Sequence, residues 1–346
     1  MKYNKNILII ISCILVLTIV FTGCAVKTEA PAEATGENTE VKAEAPKELW
    51  KPDKAVALIV PSSAGGGHDN AARVFAKCAE KYAGVQINIV NQAAGAGVVA
   101  HTEVMKAKPD GLTLGQASIS LVSDQYLVEG ATYNQDSFKY IGMDSTDANN
   151  LVVSTEGPYK DMDLKEFVEY AKANPKKVRV GVSGSWTNHD YTRHLLEQTS
   201  GAEFTRVSIK GGSNIVLGVL GGDLDAGVPY PSEIKAQVDA GKLKVLAVSG
   251  EDRSSFWPEI PTFNENGYDV NLTVWRAIMA PKETPEDILE GWRDIYEKTM
   301  TDPETIKEFA NVGITMSHKN AEDTLRIIND SHDVYKAIID SGVVKK

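Results

Sequence analysis

The sequence predicts an α/β protein of two domains, and three observations lead there. From Trp50 onward, short apolar segments alternate with amphipathic helical patterns. The chain has 346 residues, enough for about two domains that each bury a core. Its composition is even, with 42% hydrophobic residues, 47 acidic against 36 basic side chains, a formal net charge of −11 and three cysteines. Such a composition argues against a disordered chain, collagen or a disulfide scaffold. It also argues against a nucleic-acid partner, because phosphate binding draws its affinity from concentrated Lys and Arg, and the sequence holds no such cluster.

The first fifty residues stand apart from that body. Lys2 and Lys5 precede an almost wholly apolar run over residues 7–21, interrupted by Ser12, Cys13 and Thr18. A spanning helix needs about 20 apolar residues, so this shorter run reads as an export signal, residues 1–23. Thr22 and Gly23 before Cys24 resemble the bacterial lipobox, in which lipid is attached to the cysteine after the signal is cut; Phe21 stands where Leu is usual. The alternative is that Cys24 is an ordinary thiol. Residues 24–49 are rich in Ala, Pro, Glu, Thr and Lys, too polar to offset chain entropy, and read as a disordered tether. Tether and lipid together imply a soluble body at the outer face of a bacterial cytoplasmic membrane. Cys78 then remains as a free thiol on an apolar helix face, a buried hydrophobe rather than a nucleophile.

Within the body, residues 56–60 form a strand pattern, followed by a glycine-rich turn and a helix with Ala71, Val74, Phe75, Cys78 and Tyr82 on one face. A strand over 87–90, a second glycine-rich turn, a helix over 98–107 closed by Pro109, Asp110 and Gly111, and a strand over 112–115 follow. This order predicts a parallel sheet with right-handed crossovers. A new unit starts near residues 151–154. Asp163 and Glu166 make a capping box for a helix that Asn174 and Pro175 stop. A strand over 178–182, a polar loop over 183–189 and a helix over 191–198 come next; segments 204–209, 216–220 and 243–248 continue the alternation. A last apolar strand spans 275–280, before helices opened by Thr284 with Pro285 and by Asp302 with Pro303. Nothing repeats with a period of 20 to 50 residues, which excludes a solenoid.

The sharpest motif is Ser63, Ala64, Gly65, Gly66, Gly67, His68 and Asp69 between a strand and a helix start. Glycines leave backbone N–H groups accessible there and the helix dipole adds positive charge, so the segment reads as an anion seat. The plainer alternative is a turn in which Asp69 only caps the helix. No Lys followed by Ser or Thr stands where a nucleotide P-loop needs it. Gly95, Gly97 and Ala100 have dinucleotide-fingerprint spacing, but the acid that would hold a ribose is missing from its place. Gly181, Ser183 and Gly184 approach a nucleophile elbow, which fails because Ser185 replaces the final glycine. Ser183, Gly184, Ser185, Trp186, Thr187, Asn188 and His189 read instead as neutral donors for a small polar ligand, or as a cap for the next helix. The six histidines show no metal-ligand spacing, and no metal is expected. Asp144 with Asp147 and Asp223 with Asp225 read as solvated loop charges.

Taken together the chain resembles the Bug family, the extracytoplasmic receptors of tripartite tricarboxylate transporters, over residues 50–343. The markers run in order: Lys51, Pro52, Asp53 and Lys54; Pro61; Gly65, Gly66, Gly67 and Asp69; Asn91, Gly95 and Gly97; Pro109, Asp110 and Gly111. They continue with Ala173, Asn174 and Pro175; Lys210 and Gly211; Leu220, Gly221 and Gly222; Gly241, Lys242 and Leu243; Pro258, Pro261 and Thr262; Ala280 and Pro281. The resemblance implies a type II periplasmic-binding-protein-like fold, two α/β lobes around a ligand cleft with hinge crossovers. Lobe 1 is expected over 50–150 and 276–346, lobe 2 over 151–275, with hinges near 150–153 and 273–277. It implies a receptor, not an enzyme, without a cofactor. The expected ligand is a di- or tricarboxylate or related organic acid, delivered to membrane transporter subunits.

By position, the ligand residues implied are Ser63 to Asp69, Ala117, Ser118, Ser183 to His189, Lys210, Gly211, Gly212, Ser213 and Pro229. Arg73, Lys210 and Arg276 are the candidate cations for the ligand, each equally able to form a structural ion pair. His68 stands where relatives often have Thr, adding a charge or a bulky donor, and Pro229 falls near a frequent Asp. Two other classes compete with a receptor feeding a transporter: a hydrolase or dehydrogenase using Ser183 and His189 or the Gly95 turn, and a sensor for a membrane signalling partner.

Overall fold

The computed structural model describes residues 48–340. The export signal, Cys24 and nearly all of the tether lie outside the described residues.

Strands β1 (Val56–Val60), β2 (Ile87–Asn91) and β3 (Thr113–Ser118) run parallel, with α1 (Gly67–Ala83) and α2 (Val98–Lys106) as crossovers. Helix α3 (Ile119–Leu127) follows β3 without a loop, and β4 (Phe138–Ala148) carries the chain to a second sheet at β5 (Asn150–Ser154). That sheet is completed through α4 (Leu164–Ala173), β6 (Arg179–Val182), α5 (Asn188–Ser200), β7 (Thr205–Ser208), α6 (Gly212–Gly221), β8 (Ala226–Gly227), α7 (Pro231–Asp239) and β9 (Leu243–Val248). The chain returns through β10 (Thr273–Pro281), then α8 (Glu286–Thr301), α9 (Pro303–Asn311), β11 (Met316–Lys319) and α10 (Ala321–Asp340). The strand orders are β11-β4-β10-β3-β1-β2 and β7-β6-β8-β5-β9.

The parallel sheet expected from the first three strands is formed by β1, β2 and β3, but each sheet as a whole is mixed. β10 is antiparallel to β3 and β4, and β5 is antiparallel to β8 and β9. The reason is directional: β4 leaves the first sheet and β10 re-enters it beside β4, so the two run in opposite senses. The change of sheet falls at Asn149, just before the expected hinge segment 150–153, while 273–277 lies within β10.

Alternation along β1 shows how the core is shared. Val56, Leu58 and Val60 pack on one face with Phe75, Trp292 and Phe309, whereas Ile59 packs on the other with Val104, Leu121 and Ile328. A sheet covered on both faces needs near-continuous apolar strands, which is what made β1 readable. The second sheet has the same plan, with Phe167, Val180 and Phe204 on one side and Ile215, Val219 and Ile234 on the other. The capping box at α4 is formed, Glu166 N–H donating to Asp163 and Asp163 N–H to Glu166, each at 2.9 Å. At α8 the cap position falls on Pro285 and not Thr284. Segment 216–220 is helical, inside α6.

Candidate functional site

The first wall is built where β1 ends. Gly65 turns the chain with φ +78°, a conformation favoured by glycine, and Gly66 precedes the first helical residue of α1. Asp69 is not the cap that the plainer reading expected. It sits inside the first turn and reaches back, accepting the Gly65 amide at 2.8 Å, Asn91 Nδ2 at 2.9 Å and Arg73 Nε at 2.9 Å. Burial opposes its charge, yet the hydrogen bonds from Arg73, Gly65 and Asn91 hold its carboxyl below the usual range. Asp69 therefore fixes the glycine loop against the helix. The first-turn amides of His68 and Asp69 have no intrahelical carbonyl to meet, and the dipole adds positive charge around them. The Gly67 amide donates to Glu233 of α7 at 3.0 Å.

The second wall follows β6. Trp186 holds a left-handed backbone (φ +58°), and its amide donates to Asp190 at 2.9 Å. Thr187 caps α5 by accepting the Asp190 amide. The polar loop is shorter than expected, because Asn188 and His189 already belong to the first turn of α5. His189 is buried against the Tyr230 ring, with centroids 4.3 Å apart, and neither ring nitrogen has a partner among the described residues. Burial, then the Arg276 charge, pushes its imidazole down to about 3, so it presents one neutral donor and one acceptor near neutral pH.

Both walls face one cleft of about 360 Å³. Of the residues expected to bind ligand, its lining includes Ser63, Gly66, Gly67, His68 and Ser118, the whole segment from Ser183 to His189, and Lys210, Gly211 and Gly212. Ala64, Gly65, Asp69, Ala117, Ser213 and Pro229 are off the lining. Ala117 is in the core, and Asp69 is turned to its own loop. Ser213 Oγ donates to the Gly65 carbonyl at 2.6 Å, and the Pro229 carbonyl accepts the Asn150 amide at 3.0 Å. Sequence reasoning missed Ser120, Ser123, Asp124, Tyr230 and Glu233 on the lining. Pro231 followed by Glu233 is a helix-start signal that marks α7, although it does not say that α7 faces the glycine loop.

The charges sort differently from expectation. Arg73 is off the lining and pairs with Asp69; Lys210 is on the lining but exposed. Arg276 is fully buried behind Gly67, its Nη1 2.7 Å from Asp147 and 3.2 Å from Ser145 Oγ. Asp144 and Asp147 are thus not solvated loop charges: both are buried on β4, where antiparallel pairing brings Arg276 opposite Ser145. Asp223 is exposed as expected, while Asp225 binds Arg179. His68 adds no charge, because burial and then Arg276 hold its imidazole well below the usual value. Of the Gly95 turn, only the preceding Ala93 touches the cleft.

Residues 71–343 match the family described as "Tripartite tricarboxylate transporter family receptor". The chain belongs to that family. It is 30% identical over 304 residues to a protein encoded in the gbd 5′ region of Cupriavidus necator, covering 85% of this chain and 89% of that one. A solved structure described as a periplasmic transporter is 27% identical with a TM-score of 0.79, covering 85% of this chain and 99% of the other. MatC from Rhodopseudomonas palustris, solved with bound malate, shares the fold at 21% identity and a TM-score of 0.76, over 83% of this chain and 99% of its own. The receptor therefore has the periplasmic-binding-protein-like fold, built on two mixed sheets. It belongs among the binding proteins of transporters and not among enzymes.

Proposed function

We propose that this receptor is an extracytoplasmic lipoprotein, anchored through Cys24, that captures a small organic acid between lobes 50–150 with 276–346 and 151–275 and hands it to the membrane subunits of a tripartite transporter. The observation that carries the reading is that the α1 N-terminus and the neutral donors at 183–189 line one cleft. Closure brings both donor sets onto the ligand's carboxylate and excludes water. Hydrogen bonds to a charged group contribute about 1.5 to 3 kcal/mol each, so a small set reaches the roughly 8 kcal/mol of micromolar affinity. The bound malate of MatC is an acid of this kind. The two crossings between sheets are joined by hydrogen bonds, the Asn149 amide donating to Ser249 Oγ and the Ser249 amide to the Asn149 carbonyl, each at 2.8 Å. Such a joint suits a hinge that bends without separating.

Thermal melting against a panel of small carboxylates tests the reading. A ligand at 100 times its dissociation constant adds about 2.7 kcal/mol and raises the midpoint by several degrees. Gly66→Asp places a carboxylate at the helix N-terminus, where the new Cβ meets the Ser63 carbonyl at 3.4 Å, and is expected to abolish that rise. An unchanged rise in this variant refutes the anion seat.

A further inference from the structure

The glycine turn before α1 is tied across the cleft by the chain's own atoms. Helix α1 follows β1 of the six-stranded sheet, whereas α6 and α7 connect strands of the five-stranded sheet. Between them, Glu233 Oε1 accepts the Gly67 amide at 3.0 Å, and Ser213 Oγ donates to the Gly65 carbonyl at 2.6 Å. Glu233 Oε2 accepts the Tyr230 amide at 2.9 Å, at the start of its own helix. The same carboxylate lies against the first residue of α6, where a Cβ on Gly212 would stand 2.0 Å from Oε2. One carboxylate therefore stands where three helix N-termini converge, α1 from one sheet and α6 and α7 from the other. Three positive dipole ends favour a negative group at that point, and Glu233 is one that the chain itself carries.

Two glycines permit this approach, and neither is called for by a left-handed backbone. A Cβ on Gly67 would stand 2.7 Å from Cδ2 of Tyr230, and one on Gly212 would collide with the Glu233 carboxylate, so a side chain at either place holds the helices apart. Behind the contact, the Arg276 guanidinium of β10 lies 5.1 Å from the centre of the Tyr230 ring. Gly67, Gly212, Tyr230 and Glu233 all line the cleft, so the tie spans the cleft itself and not the joint at Asn149 and Ser249.

We propose that Glu233, with Ser213 beside it, is a latch that holds the cleft closed in the free receptor. The proposal rests on the closure described above and adds that closure does not wait for the ligand. The free receptor is predominantly closed, and a ligand enters through the minority of open molecules.

The test is a distance measurement by pulsed electron paramagnetic resonance on the full chain, dialysed free of small molecules. Nitroxides are attached through p-acetylphenylalanine at Glu129, after α3, and at Leu217 on α6, both exposed. The measurement is made at about pH 8.5, where Glu233, raised to about 7 by burial, is ionised. The wild type is expected to give mainly the shorter, closed distance. Glu233→Gln keeps the shape of the side chain but leaves one of the two amides without its acceptor, and is expected to lower the ratio of closed to open molecules at least tenfold. Ser213→Ala leaves the Tyr230 cap intact and is expected to lower that ratio about fivefold. A wild type that is mainly open, or a folded Glu233→Gln with the wild-type distribution, overturns the latch, because a purely local cap of α7 moves no distance across the cleft. Where Glu233→Gln does not fold, Ser213→Ala decides in the same way. Either result leaves the receptor reading to the melting panel, which fails or stands independently of the latch.

Discussion

Arg276 and Asp147 form an ion pair at 2.7 Å in which neither side chain has exposed surface. They are 129 residues apart in sequence and meet only because β10 returns antiparallel to β4. Burial pushes the Asp147 carboxyl up, and the guanidinium works against that push. Removing one partner leaves a buried charge without compensation, so Arg276→Met is expected to cost about 3 to 5 kcal/mol by urea unfolding. Adding Asp147→Asn to that variant is expected to restore part of the loss; additive losses contradict a coupled pair.

Asp69 positions the glycine loop without touching the cleft. Asp69→Ala frees the Gly65 amide and Asn91 and is expected to cost about 1 to 3 kcal/mol of stability. Its carboxyl lies below the usual range, so its contribution is complete above about pH 4 and is lost as the pH falls through the folded value. Ligand affinity is expected to drop at least tenfold with the loosened loop, measured by titration calorimetry. A variant with full affinity separates the loop geometry from the seat.

The acid side of the stability curve follows from two opposing sets of groups. Burial lowers His101 and His189 to about 3, so the unfolded chain binds these protons near pH 6.5 and the folded chain does not. Their stability contribution is complete above that pH and declines as pH falls toward 3. Burial raises Glu233 to about 7 and Asp144 to about 6, so the folded chain keeps protons that the unfolded chain releases near 4. Their contribution declines as pH rises from about 4 to 7. Each group acts with about 1.4 kcal/mol per pH unit, and the two sets offset one another between about pH 4.5 and 6. Urea unfolding is expected to give a nearly flat profile there and a decline below about pH 4. A steep slope across the flat window contradicts this balance.

Gly212 leaves room for Glu233. A Cβ at this position would stand 2.0 Å from the Glu233 carboxylate, so Gly212→Ala forces that side chain to move. The expected cost is about 1 to 3 kcal/mol, of the size seen on overfilling a packed site. Loss of the Glu233 to Gly67 hydrogen bond should appear as a shift of the Gly67 amide resonance. An unshifted resonance means that the helix α6 backbone yields instead.

Much of the first wall was legible because its signals are local. The apolar alternation of β1, the three glycines after it and the face of α1 lie within 28 consecutive residues. The α4 capping box and the Asp302 cap of α9 are equally local, each a short side chain reaching a backbone amide two or three residues on. β4 escaped notice because Lys139, Asp144 and Asp147 interrupt its apolar pattern, and the partner that accommodates Asp147 in the core, Arg276, is distant in sequence. α3 escaped because it continues from β3 without a turn signal.

The sequence by itself determined the alternating α/β order, the glycine turn between β1 and α1 and the family, since each depends on residue type at short range or in a fixed order. Tertiary structure alone decided that Glu233 reaches Gly67 from 166 residues away, that Asp144 and Asp147 are buried, and that His68 and His189 are neutral. The physical reason is that charge state and hydrogen-bond partnership depend on what surrounds a side chain in space. Those surroundings come from strands and helices that the return of β10 brings together.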